Sequence, residues 1–213
     1  MRLYLSSFRM GDHPEHLVRL AGEDRAAAVI ANALDDAGPP IRDEGVQREL
    51  DALRELGIEA RELDLRDYFG APDRVAAELG VHGLVWLRGG NVFLLRYALA
   101  ASGADEALVS LLRDDPLVYA GYSAGPCSLG PSLQGLGLVD EPDAVQAVHG
   151  ADPVWRGLGV LDYVIVPHVD SPGHPETERC NALAEHYRAQ GVPHRTLRDG
   201  QALVVEGPKT TLV

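Results

Sequence analysis

Val118-Tyr119-Ala120-Gly121-Tyr122-Ser123-Ala124-Gly125-Pro126 is an apolar run that breaks into two glycines around one serine, with a proline close behind. A buried strand that passes through a sharp turn into a helix gives this pattern, because glycines remove side chains that a tight turn cannot hold. A serine at the apex stands out from the turn. The helix behind it aims backbone N–H groups and the positive end of its dipole at the same spot. The stretch therefore fits a nucleophile elbow, with the Ala124 N–H as an oxyanion donor. It also fits a plain turn with a helix-capping serine, and the rest of the chain has to separate the two.

Working outward, short apolar runs recur at 3–6, 27–33, 58–63, 83–87, 117–120 and 161–166. Several are hydrophobic almost throughout, as strands buried on both faces are. Between them the spacing predicts helices over 43–56, 72–79, 92–102 and 177–190. Strands alternating with helices predict an α/β fold built on a mostly parallel sheet with helices on both faces. The tail reads as two strands around an Asp199-Gly200 turn. Residues 130–159, rich in Gly, Pro and Asp, read mostly as loop. At 213 residues the chain fits a single α/β hydrolytic domain over 1–213.

A formal net charge of −13 argues against a nucleic-acid backbone or an anionic membrane surface as partner. Two cysteines, Cys127 and Cys180, are too few for a disulfide framework or a thiolate metal site. No run approaches the ~20 apolar residues of a membrane span, and the N-terminus has no signal-peptide core. These features predict a cytoplasmic protein, and an acidic surface of this kind is compatible with a homodimer.

A nucleophilic serine needs a base. Of eight histidines, His168 stands apart because it follows the apolar run LDYVIVP at the C-terminal end of a predicted strand. Ligands bind at those strand ends in open parallel sheets, where Ser123 also falls. A carboxylate should orient the imidazole; Asp140, Glu141, Asp143, Asp152 and Asp170 are all within range. A second glycine cluster, Arg88-Gly89-Gly90-Asn91, ends another strand and opens another helix. It offers the Gly90 N–H as a second oxyanion donor.

LRGGNVF, GYSAGP and VIVPHVDSP, in this order, resemble the S51 serine peptidases, a family of aspartyl dipeptidases with cyanophycinases as more distant relatives. The resemblance implies a flavodoxin-like fold similar to class I glutamine amidotransferases. It also implies a serine protease, acting as a dipeptidase or aminopeptidase on short peptide substrates without metal or cofactor. Carried onto this sequence, it makes Ser123 the nucleophile, His168 the base, Gly90 and Ala124 the oxyanion donors and Asn91 a substrate-binding residue. The acid it implies is Asp140, in the run Asp140-Glu141-Pro142, with Glu141 second. Where aspartyl dipeptidases carry Glu-Thr-Arg, this chain has Glu176-Thr177-Glu178, followed by Arg179. A carboxylate at Glu178 would repel a substrate aspartate, so a specificity broader than Asp-X is expected. A cyanophycinase-type isopeptidase, another acyl hydrolase or a non-catalytic binding protein on the same fold are the alternatives.

Overall fold

The computed structural model describes residues 1–22 and 26–213. Among the described residues nine strands form: β1 Arg2–Ser6, β2 Ala26–Ile30, β3 Glu59–Glu62, β4 Leu84–Leu87, β5 Val118–Tyr122, β6 Val164–Val166, β7 His194–Thr196, β8 Ala202–Glu206 and β9 Lys209–Leu212. Seven make one sheet in the order β3-β2-β4-β5-β1-β8-β9. The first five of that order run parallel; β8 and β9 are antiparallel. The eight α-helices are α1 Glu15–Ala21, α2 Pro39–Glu55, α3 Pro72–Leu79, α4 Val92–Ser102, α5 Ala104–Asp114, α6 Ala124–Ser128, α7 Ala144–His149 and α8 Thr177–Gln190.

Alternation along the strands explains how both faces are covered. In β5, Val118 and Ala120 face a core that includes Leu17 and Leu20 of α1 and Leu53 of α2. Tyr119 points the other way, into the larger core with Phe93, Leu108 and Leu183 of α4, α5 and α8. The inner parallel strands β2, β4 and β5 have almost no polar positions because neither face meets water, whereas the edge strand β3, Glu-Ala-Arg-Glu, is half exposed. This is the flavodoxin-like α/β arrangement that the sequence predicted.

Two expectations need correction. The run 161–166 does not join the main sheet: its last three residues form β6, which pairs only with β7. The tail is not a hairpin about Asp199-Gly200. The hairpin joins β8 to β9 through Gly207-Pro208, and β7 runs parallel to β6 instead. Residues 130–159 are mostly loop, as expected, around the short α7, and α1 and α5 are further helices.

The C-terminal ends of β1, β4 and β5 lie side by side, which brings Ser7-Phe8-Arg9, Arg88-Gly89-Gly90 and Ser123 to one edge of the sheet. Close packing fixes the glycines there. A Cβ on Gly121 would stand 2.3 Å from the Leu87 carbonyl oxygen, part of the β4 backbone paired beside it. Gly121→Ala should therefore lower stability by roughly 2–4 kcal/mol, read as a fall in the urea midpoint, since neither backbone can yield. An unchanged midpoint would show that the strand pair is more pliable than this packing implies.

Candidate active site

Ser123 occupies the turn from β5 into α6 with φ 53° and ψ −108°. Positive φ is costly for a residue with a Cβ, and such strain is held in place only by packing around it. Tyr122 just before it is buried, and its hydroxyl donates to Glu49 Oε1 at 2.9 Å. Trp86 Nε1 donates to the other oxygen of the same carboxylate at 2.9 Å. Below the serine, Gly125 is pressed against Leu87, where a Cβ would come within 2.8 Å of the carbonyl oxygen.

Ser123 and the buried His168 line the same cavity of about 150 Å3, together with Gly89, Gly90 and Glu176. His168 also has positive φ, 59°. Its backbone N–H donates to Ser7 Oγ at 2.9 Å, and its carbonyl accepts from Thr177 Oγ1 at 2.7 Å. Phe8 packs edge-on against its ring, and His174 stacks on it with centroids 3.7 Å apart and planes 4° apart.

The carboxylate on His168 is Asp199, not Asp140 or Glu141. Nδ1 of His168 and Oδ1 of Asp199 are 2.7 Å apart. Asp199 is fixed in turn by Ser7 Oγ, which donates to Oδ1 at 2.8 Å, and by its own N–H, which donates to Ser171 Oγ at 2.8 Å. Burial lowers the pKa of His168, opposed by the Asp199 bond and charge, so the neutral imidazole is favoured.

Asp140 serves α4 instead. Its Oδ2 accepts from the Val92 N–H at 2.8 Å, at the start of that helix. Burial, reinforced by the Glu176 charge against that N–H bond, raises its pKa to about 7. Glu141 is exposed, and its carbonyl accepts from Asn91 Nδ2 at 2.9 Å. Asn91 is accordingly committed to structure: its Oδ1 caps α4, accepting from the Phe93 and Leu94 N–H groups at 2.9 and 3.2 Å. Its expected role in binding substrate is not what its side chain does here.

The two oxyanion candidates are placed as the sequence suggested, Gly90 in the cavity with Ser123 and Ala124 at the start of α6. A side chain at 90 would strike Ala33, whose carbonyl oxygen lies 2.5 Å from a built Cβ. Glu178 and Arg179 are both exposed, and Arg179 Nη1 donates to the Val139 carbonyl at 3.3 Å. The acid that reaches the cavity is Glu176, two residues before Glu178. A second space of about 10 Å3 beside Ser123 and His168 is also lined by Asp140 and Glu176.

Among the described residues, His168, His174 and Asp199 are the one grouping whose ligand atoms lie close enough, within 4.8 Å, to hold a metal ion. No helix among these residues is long and apolar enough to cross a membrane.

The profile of peptidase family S51 matches residues 17–213. The chain belongs to this family of peptidases. A curated relative, peptidase E of Streptomyces coelicolor, is 31% identical over 197 residues, covering 91% of this chain and 67% of that protein. An uncharacterized peptidase of Listeria innocua is 28% identical over 120 residues, 56% of this chain and about half, 54%, of its own length. Among solved structures, a Listeria monocytogenes EGD-e protein described as a candidate peptidase E superposes with a TM-score of 0.81 at 19% identity, over 100% of this chain and 97% of that one. A peptidase from an acI-B1 Actinobacterium gives 0.70 at 14% identity, over 100% and 86%. These two likenesses establish the fold.

Proposed function

We propose that this S51 member is a serine-type exopeptidase that removes the N-terminal residue from dipeptides or short peptides. One observation carries the reading: a serine on a strained elbow shares a cavity with a buried histidine whose far nitrogen is bound to a carboxylate at 2.7 Å. In this reading Ser123 Oγ attacks the carbonyl carbon of the first residue while His168 Nε2 takes its proton. The carbonyl oxygen becomes an oxyanion, held by the Gly90 and Ala124 N–H groups. Each such donor contributes about 3 kcal/mol in comparable sites. The intermediate collapses, the C–N bond breaks, and His168 returns the proton to the leaving amine. Water, deprotonated by the same imidazole, then cleaves the acyl-enzyme. Asp199 fixes the tautomer with Nδ1 protonated and stabilises the imidazolium as it forms.

Restriction to a free N-terminus would come from Glu176, which borders both spaces beside Ser123 and so can accept an α-ammonium group. An arginine for a substrate aspartate is missing at 178, and Glu178 points to solvent, which favours neutral first residues over strict Asp-X cleavage.

The test is hydrolysis of Ala-Leu, Leu-Leu, Met-Leu and Asp-Leu beside N-acetyl-Ala-Leu. Neutral dipeptides should be cleaved and the acetylated one should not. Glu176→Gln should raise KM for Ala-Leu by roughly ten- to a hundredfold, the worth of one hydrogen bond to a charge. Equal cleavage of acetylated and free peptides would rule out an enzyme that depends on a free N-terminus. Cleavage of Asp-Leu alone would restore Asp-X specificity.

A further inference from the structure

Three arginines converge on the cavity that holds Ser123: Arg9, Arg48 and Arg88. This is unexpected in a chain with 32 acidic and 19 basic residues. Abundant carboxylates would ordinarily neutralise them, yet their donors are largely unspent. Arg9 lies with its guanidinium 5.0 Å above the Phe8 ring and forms no ion pair with any described carboxylate. It also sits at φ 49°, a strained conformation for arginine. Arg48 meets only the exposed Glu44, one helical turn away at 3.4 Å. Arg88 Nη1 donates to the Gly89 carbonyl at 2.6 Å, while its buried Nε has no hydrogen-bond partner and forms only a long, 3.5 Å ion pair with a Glu49 carboxylate already occupied by Trp86 and Tyr122.

Carboxyl groups border the same serine: Glu176 lines this cavity, and Asp140 joins Glu176 in a second, small space shared with Ser123 and His168. The nucleophile thus has guanidinium and carboxyl groups both around it. A dipeptide zwitterion carries both signs of charge, about two residues, or roughly 7 Å, apart. His168 gives the direction. The imidazole protonates the leaving amine, so the groups beside its ring border the leaving residue. Phe8 packs against that ring and carries Arg9 over its own face.

We propose that Arg9, Arg48 and Arg88 form the subsite for the C-terminal carboxylate of the substrate, so that the site measures a dipeptide by both charged ends. This rests on the hydrolytic reading of Ser123 and adds to it a length selection. Guanidinium groups suit the role because each presents several donors in a planar fork that matches a carboxylate. A wider hollow of about 310 Å3, sharing Phe8, Arg9 and Arg48, continues from the cavity and leaves room for the second side chain.

The experiment compares Ala-Leu with Ala-Leu-amide on the intact chain, for the parent and for the Arg9→Gln, Arg48→Gln double variant. The parent should favour the free acid in kcat/KM by roughly ten- to a hundredfold. In the double variant that ratio should fall toward one, and 0.5 M NaCl should reduce it in the parent, as screening of exposed cations requires. The ratio is read within each protein, so a partly folded variant does not distort it. A ratio near one in the parent, or one that survives both substitutions, overturns the proposal while leaving the hydrolase reading intact. So does a variant that keeps the acid-to-amide ratio and instead loses an Asp-Leu over Ala-Leu preference, since the arginines would then read a side chain. Failure to cleave either substrate, or equal cleavage by Ser123→Ala, removes the hydrolytic reading and this subsite with it.

Discussion

Asp199→Asn is expected to lower kcat/KM on Ala-Leu by on the order of 10^4-fold, the loss seen when the buried carboxylate of a serine triad becomes an amide. The amide can turn its NH2 toward the imidazole and hold the wrong tautomer, leaving Nε2 protonated and unable to accept from the serine. Ser7 Oγ and the Asp199 N–H bond fix the position of that side chain, so asparagine should fit without unfolding the loop. The pH profile separates orientation from mere packing. Burial holds the His168 pKa below its ordinary value, and Asp199 works against burial by raising it. Activity needs the neutral base, so in the parent it should rise with pH through a midpoint below that of a free imidazole. Removing the Asp199 charge should move this limb to still lower pH.

Asp140→Asn is the companion to that experiment. An amide oxygen can still accept from the Val92 N–H, so activity should stay within about tenfold of the parent. Stability should respond with a definite sign. The folded state holds the Asp140 proton more tightly than the unfolded chain does, with a pKa near 7. The parent therefore loses stability as pH rises from the ordinary carboxylate range through about 7, by on the order of a few kcal/mol. The asparagine variant should lack that loss. Should Asp140→Asn abolish activity while Asp199→Asn spares it, the acid belongs where the sequence argument put it.

That misplacement shows what the sequence could and could not reveal. The inner parallel strands were legible because burial on both faces leaves a continuous apolar signal, and the helices over 72–79, 92–102 and 177–190 form within the bounds their spacing predicts. Ser123 and His168 were legible because each follows such a strand at its C-terminal end. Asp199 was hidden by local grammar. Asp-Gly between two extended segments is a strong hairpin signal, but β7 is short, half-exposed and paired with β6. The true hairpin turn, Gly207-Pro208, lacks that signature. An acid supplied by a turn after the last crossover, 31 residues from its histidine, leaves no spacing to detect. Asn91 and Asp140 were misassigned for a related reason. Both are polar groups beside the site, but an N-terminal helix end has N–H donors to satisfy, and α4 uses the two side chains for that purpose. Glu176 could have been found by weighing every acid in the Glu-Thr-Glu run instead of only the one replacing an arginine.

Ser123→Ala should reduce kcat by on the order of 10^6-fold, since the residues of a triad act as a unit and little is left once the nucleophile is gone. The more discriminating variant is Ser123→Gly. At φ 53° and ψ −108° the serine occupies a conformation that only glycine adopts without strain. Such strain costs about 1–3 kcal/mol, while glycine gives back up to about 1 kcal/mol in chain entropy. Both variants should be inactive, but Ser123→Gly should unfold at equal or higher urea than the parent, and Ser123→Ala, which keeps the Cβ, should match the parent. A residue held only to cap a helix would behave otherwise: its loss would destabilise α6 and leave hydrolysis untouched. No side-chain cap bond is made by Ser123 in this structure, so nothing in the fold gains from a hydroxyl at this position. An inactive and more stable Ser123→Gly would mean that the elbow is maintained against the preference of the fold, which is the expected signature of a nucleophile.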